Sequence, residues 1–137
     1  MVSRVTAPLF VPADRPERFA KAAASRADAI ILDLEDAVGP GTKDTARAAL
    51  TADFTDLPVI VRINAIGTPW HAADMAAVAA LQPAAVMLPK AEEAGAVAAV
   101  AARLGLPLIA LVETARGLAA ARSIAAAQGV VRLAFGS

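Results

Sequence analysis

Ala29-Ile30-Ile31-Leu32-Asp33-Leu34-Glu35-Asp36 decides the fold class. Ala29–Leu32 is apolar without alternation, so a strand here needs cover on both faces, as in parallel sheets. It then breaks into acids where a loop begins. The same unit recurs at intervals. The apolar strands predicted are Ala7–Val11, Ala29–Leu32, Val59–Val61, Ala85–Leu88, Leu106–Val112 and Val130–Ala134. Helices are predicted between them. The first begins near Arg15-Pro16 with Asp14 as its cap, and the second opens at Thr42 or Asp44 and ends near Leu50. A third runs from Thr68-Pro69 to Leu81, a fourth has Glu92-Glu93 in its first turn, and a fifth spans Ala115–Ala127.

Composition bounds the function. The 137 residues suit one domain, read as 1–137, and 58% are apolar. Thirteen basic residues balance thirteen acidic ones, so no global field recruits nucleic acid or an anionic membrane. The absence of cysteine excludes disulfides, thiolate metal sites and a cysteine nucleophile. Pro8, Pro12 and Asp14 interrupt any signal-peptide core, and no apolar run reaches the ~18 residues of a membrane span. The expectation is a cytoplasmic protein without nucleic-acid or membrane partners.

Strands alternating with helices imply an α/β fold. About six strands and five helices are too few for a closed (β/α)8 TIM barrel, which needs at least about 200 residues. The sequence ends on the sixth strand, so the expectation is a partial barrel, the N-terminal part of a longer domain.

In such a barrel the C-terminal strand ends share one rim. Asp33-Leu34-Glu35-Asp36, Arg62-Ile63-Asn64, Lys90, Glu113-Thr114 and Phe135-Gly136-Ser137 occupy those ends. Carboxylates are hard oxygen donors for a divalent ion, and an arginine fork recognises a carboxylate bidentately. The acidic group either holds the outer shell of a metal or orients Arg62 and Lys90. Each residue has a plainer reading. The acids read as caps or solvated loop residues, Arg62 as a structural ion-pair partner, Lys90 as a surface lysine and Glu113 as a helix cap. His71, beside Trp70, reads as a loop or helix-start residue.

The motifs carry a resemblance. Leu9-Phe10-Val11-Pro12-Ala13-Asp14-Arg15-Pro16-Glu17-Arg18-Phe19, Ile31-Leu32-Asp33-Leu34-Glu35-Asp36-Ala37-Val38, Val61-Arg62-Ile63-Asn64, Met87-Leu88-Pro89-Lys90-Ala91 and Leu111-Val112-Glu113-Thr114-Ala115-Arg116-Gly117 follow in order. Together they resemble the citrate lyase β-subunit group of the HpcH/HpaI aldolase and malyl-CoA lyase superfamily. The resemblance implies an oligomeric barrel, commonly a trimer, that uses Mg2+ to cleave or form a carbon–carbon bond beside a thioester or 2-keto acid. It implies that Glu113 binds metal and contacts substrate and that Arg62 holds a substrate carboxylate. Glu35, Asp36 and Lys90 are the candidate catalytic residues. A second metal-binding aspartate is expected just beyond a Phe-Gly that corresponds to Phe135-Gly136, and these 137 residues alone are expected to be inactive. The leading substrate class is a small β-hydroxy dicarboxylic acyl-CoA, such as citryl-CoA or malyl-CoA. The alternatives are a 2-keto-acid aldolase that does not use CoA, and an inactive fragment or regulatory subunit.

Overall fold

The computed structural model describes residues 2–136. Six parallel strands lie side by side in chain order, β1 (Pro8–Pro12), β2 (Ala29–Asp33), β3 (Val59–Arg62), β4 (Ala85–Leu88), β5 (Leu108–Val112) and β6 (Val130–Phe135). Strictly sequential order without reversal is the order of barrel staves, and the ladder is open, ending at β1 and β6. The helices are α1 (Phe19–Ala23), α2 (Lys43–Ala48), α3 (His71–Leu81), α4 (Ala94–Leu104), α5 (Ala115–Ala119) and α6 (Ala121–Ala125). Short 3-10 turns at Pro16–Arg18 and Pro40–Thr42 lead into α1 and α2.

Two apolar layers follow from the period-two alternation of strand side chains. Ile30, Leu32, Val61, Val86, Leu88 and Leu108 face the helices and join Val78, Val97 and Ile124 in the larger cluster. Ala29, Ile31, Ile60, Met87, Ile109 and Leu111 face the other way, into a second cluster closed by Val2 and Val5. Arg132 of β6 donates to the carbonyls of Val2 and Val5, tying the N-terminal turn to this inner face. β2, β4 and β5 are buried along their whole length, whereas β1 and β6 expose Leu9, Phe10, Val131 and Phe135.

Several boundaries differ from the sequence reading. β1 is displaced by one residue, β2 and β3 extend to their polar ends, and β5 starts at Leu108, the first residue in register with β4, although the Pro107 carbonyl already accepts from the Val86 N–H. Asp14 does not cap the first helix. The N-terminal position there is Arg15, with no side-chain cap, and Asp14 instead accepts from the Thr42 hydroxyl at 3.2 Å. The Pro40–Thr42 turn delays α2 to Lys43, and Glu92 and Glu93 precede α4 rather than forming its first turn. The single helix expected over Ala115–Ala127 is two, making six, because Ala120 leaves helical geometry at ψ 4°. Thr114, not Glu113, caps α5, accepting from the Gly117 N–H at 3.0 Å. Ser137 lies outside the described residues.

Candidate active site

At the C-terminal ends of the strands the inward alternation passes from apolar to charged. Asp33 follows Ala29 and Ile31 in phase, Arg62 follows Ile60, and Glu113 follows Ile109 and Leu111. The β2–β3 register makes Asp33 and Arg62 direct neighbours. Arg62 Nε and Nη2 donate to Asp33 Oδ1 and Oδ2, both at 2.7 Å, a bidentate pair. The same carboxylate accepts the N–H groups of Glu35 and Ala37, each at 2.9 Å. Burial alone would raise the Asp33 pKa, but the Arg62 fork and these N–H donors bring it below the ordinary value. Burial likewise opposes the charge on Arg62, and Asp33 more than offsets it, so the guanidinium is raised. Its carbon lies 4.7 Å from the Phe10 ring centroid, leaving the Nη1 end, 3.4 Å from Glu35 Oε1, to face the site.

Glu35 is buried, and its Oε2 accepts from Lys90 Nζ at 2.6 Å. Oε1 is buried without a hydrogen-bond partner. Burial pushes the Glu35 carboxyl up, against the opposing pull of Lys90 and Arg62. Lys90 is raised in turn, chiefly by its hydrogen bond to Glu35. The Lys90 backbone sits in the left-handed region (φ 50°), and its N–H donates to Glu113 Oε2 at 2.9 Å. One residue thus joins two carboxylates, its side chain to Glu35 and its main chain to Glu113. A cavity of ≈300 Å³ opens beside it, lined by Ile66, Glu93, Val97 and Arg116 among others.

Four of the five site residues expected from sequence, Glu35, Arg62, Lys90 and Glu113, therefore come together. Asp36 is exposed and takes no part in these contacts; Asp33, of the same acidic group, orients Arg62 instead. His71 opens α3, with Nδ1 2.8 Å from the Asn64 carbonyl oxygen.

Sequence reasoning missed Lys43, Asp74 and the side chain of Asn64. Lys43 Nζ donates to the carbonyls of Leu34 (2.7 Å) and Glu35 (2.8 Å) and to Asn64 Oδ1 (2.8 Å). Asn64 Nδ2 donates to Leu34 O at 3.0 Å and to Asp74 Oδ2 at 2.6 Å, and its main-chain N–H reaches the same Oδ2 at 2.8 Å. Arg47 Nε completes the chain at 3.0 Å from Asp74 Oδ1. A lysine and an arginine four apart on a short helix read as a solvated face, so nothing local marks them.

Among the described residues no three or more histidines, aspartates or glutamates gather into a metal-holding set. Magnesium needs fewer, since it takes one or two protein carboxylates and completes its shell with water and substrate. Glu113, just beyond the end of β5, is a donor of the right kind, with its Oε2 on the Lys90 N–H. The residues fit the ion as a partial ligand set.

A model of the HpcH/HpaI aldolase/citrate lyase family matches residues 6–137. The chain belongs to this family. A citrate lyase subunit beta-like protein of Mycobacterium tuberculosis H37Rv is 52% identical over 130 residues, covering 94% of this chain and 46% of that protein. A (3S)-malyl-CoA thioesterase of Cereibacter sphaeroides ATCC 17029 is 39% identical over 135 residues, 94% of this chain and 47% of that protein. The chain thus spans about half the length of the curated relatives it matches. Among solved structures, protein CitE of Mycobacterium tuberculosis in complex with magnesium and pyruvate superposes with a TM-score of 0.86 at 48% identity, covering 99% of this chain and 56% of that one. The same protein with magnesium, acetoacetate and coenzyme A gives 0.85 at 49% identity, covering 98% and 49%.

Proposed function

We propose that this chain is the N-terminal, site-bearing part of a magnesium-dependent carbon–carbon lyase. Its substrate is a small β-hydroxy dicarboxylic acyl-CoA such as malyl-CoA or citryl-CoA, split into a keto acid and an acyl-CoA. The observation that carries this reading is the Arg62–Glu35–Lys90–Glu113 constellation at one rim. The magnesium, pyruvate and coenzyme A bound to similar solved structures support it.

Arg62, held on one edge by Asp33, offers its Nη1 end to the carboxylate of the keto-acid half. Lys90 stays protonated beside Glu35 and keeps that carboxylate aimed. Glu35 Oε1 takes the proton of the substrate's β-hydroxyl as the carbon–carbon bond opens and the hydroxyl carbon becomes the keto group. The bonding electrons leave on the thioester α-carbon, which gains a proton. Burial raises this carboxyl, which makes its ionised form a stronger base toward the hydroxyl proton. Glu113 is the residue that would hold the metal. When bound, magnesium supplies a Lewis acid for the developing negative charge, worth several kcal/mol. Asp36, exposed beside Glu35, serves the long-range field rather than contact. The cavity beside Lys90 offers room for the thioester arm. The proposal includes a homotrimeric, cytoplasmic enzyme.

The test is product analysis with the intact protein, magnesium and malyl-CoA. Lyase action yields acetyl-CoA and glyoxylate. Malate and free CoA instead support thioester hydrolysis, the second reading, favoured by the thioesterase relatives. Cleavage of free 2-keto-acid aldols but not thioesters marks the aldolase alternative. A protein that binds neither magnesium nor pyruvate, glyoxylate or oxaloacetate by calorimetry overturns the proposal.

A further inference from the structure

We propose that Lys43 is a positioning residue: its buried ammonium fixes the Leu34–Glu35 turn and thereby aims the Glu35 carboxylate between Arg62 and Lys90. The kinetic part of this inference rests on the lyase reading above, whereas its structural part does not.

An ammonium has three N–H donors, and all of them are used here, on Leu34 O, Glu35 O and Asn64 Oδ1. None of these acceptors is a carboxylate, and the ammonium sits 4.9 Å from the Trp70 ring centroid. A charge buried against neutral acceptors is expensive. Burial also pushes the Lys43 pKa down, with the surrounding acids pulling the other way. An apolar side chain here would leave these buried acceptors short of a donor, so the ammonium is kept by the three groups it joins.

That geometry concerns Glu35. Its N–H is held by Asp33 Oδ1, the same oxygen that accepts from Arg62 Nε. Its carbonyl is held by Lys43. The two peptide groups flanking the Glu35 side chain are therefore clamped from opposite sides, one by the site arginine through Asp33, the other by Lys43. Asn64 ties the second clamp to the end of β3, two residues beyond Arg62, and Asp74 fixes Asn64 through two donors. Arg47, one turn after Lys43 on α2, anchors Asp74 in turn. The chain Arg47–Asp74–Asn64–Lys43 thus links α2, α3, β3 and the loop after β2, and ends on the backbone of Glu35 without touching its carboxylate.

The experiment is Lys43→Met in the intact protein, with Lys43→Arg as the conservative rescue and Lys43→Gln, which keeps two N–H donors, should the methionine variant not fold. A misplaced base costs on the order of tenfold to a hundredfold in kcat, with KM for the acyl-CoA within about threefold of wild type. In parallel, solvent exchange of the Arg62 Nε–H and the Glu35 amide, followed by NMR, accelerates roughly tenfold or more as the shared Asp33 clamp loosens. Lys43→Arg recovers part of both. A folded variant with wild-type kcat overturns the proposal, and so does one that loses kcat while both protons keep their wild-type protection. If the wild-type protein shows no lyase turnover, the lyase reading falls, and proton exchange alone then decides whether Lys43 positions the turn. If neither the methionine nor the glutamine variant folds, Lys43 is a stability residue and the proposal falls.

Discussion

Asp33 and Glu35 are two residues apart and both buried, yet the protein shifts their acidities in opposite directions. Asp33 faces a guanidinium squarely and receives two backbone N–H groups; Glu35 has one lysine at 2.6 Å, an arginine nitrogen at 3.4 Å and an oxygen with no partner. A lowered Asp33 contributes stability that is fully present above the ordinary aspartate pKa of about 3.9 and is lost as pH falls through the lower folded value. Asp33→Asn leaves Arg62 without its bidentate charge partner, with only Glu35 at 3.4 Å remaining, so it is expected to destabilise by about 3 kcal/mol at pH 7. The deficit relative to wild type should shrink steadily below about pH 4, as the wild-type carboxylate itself protonates. Urea unfolding of both proteins between pH 7 and pH 2.5 measures it, and a deficit independent of pH refutes the ion pair as its source. A raised Glu35 behaves in the reverse sense, its ionisation opposing the fold as pH rises through the folded value. Glu35→Gln should cost roughly a hundredfold or more in kcat, the worth of a general base. Pyruvate affinity, assigned to Arg62 under the proposed function, should stay near wild type in calorimetry.

At the scale of elements, the loops that end the strands determine where these groups sit. Gly117 in α5 is the tightest example. A Cβ there would lie 2.3 Å from the Ala91 carbonyl oxygen, so α5 lies directly against the segment carrying Lys90, and no larger residue fits. Ala91 N in turn donates to Leu111 O at 3.0 Å, which fixes that segment to β5. Gly117→Ala is expected to cost about 1–3 kcal/mol by overpacking and to displace Lys90 from Glu35. Chemical denaturation and the Lys90 side-chain resonance report the two effects separately. The strands themselves were legible in sequence, because unbroken runs such as Ala29–Leu32 and Ala85–Leu88 admit no other covered element of that length. Their ends were legible for the same reason: Asp33, Arg62 and Glu113 continue an inward phase the apolar residues set. The break at Ala120 left no mark, since alanine flanks it on both sides. Lys43 and Asp74 were equally silent, because their burial comes from how α2 and α3 fold back over the strand ends that precede them, which no local pattern marks. Asp36 misled for the opposite reason: adjacency to Glu35 suggested a shared role, but one residue further along the chain faces solvent.

Considered whole, the sheet separates stability from chemistry. The helix-facing cluster is the larger, while the inward cluster runs from Val2 and Val5 at one end to the charged rim at the other. Under the proposed function a ligand at that rim would touch Glu35, Arg62 and Glu113, which come from the ends of β2, β3 and β5 and are brought together only by the folded topology. The unfolded chain holds no such site, so binding must raise the stability of the fold as a unit. Under the proposed function, magnesium and pyruvate, each at about a hundred times its dissociation constant, should each add about 2.7 kcal/mol. For a domain of the full relatives' size that is a rise of roughly 4–5 °C in Tm for each ligand. Glu113→Gln keeps an acceptor for the Lys90 N–H, so its ligand-free Tm should lie within about 2 °C of wild type, while the magnesium-dependent part of the rise disappears. Chelation should reverse the shift in wild type and leave the variant unmoved. Differential scanning calorimetry of both proteins, with and without magnesium, decides the matter, because equal magnesium shifts in the two would remove Glu113 from the metal site while leaving its tie to Lys90 intact.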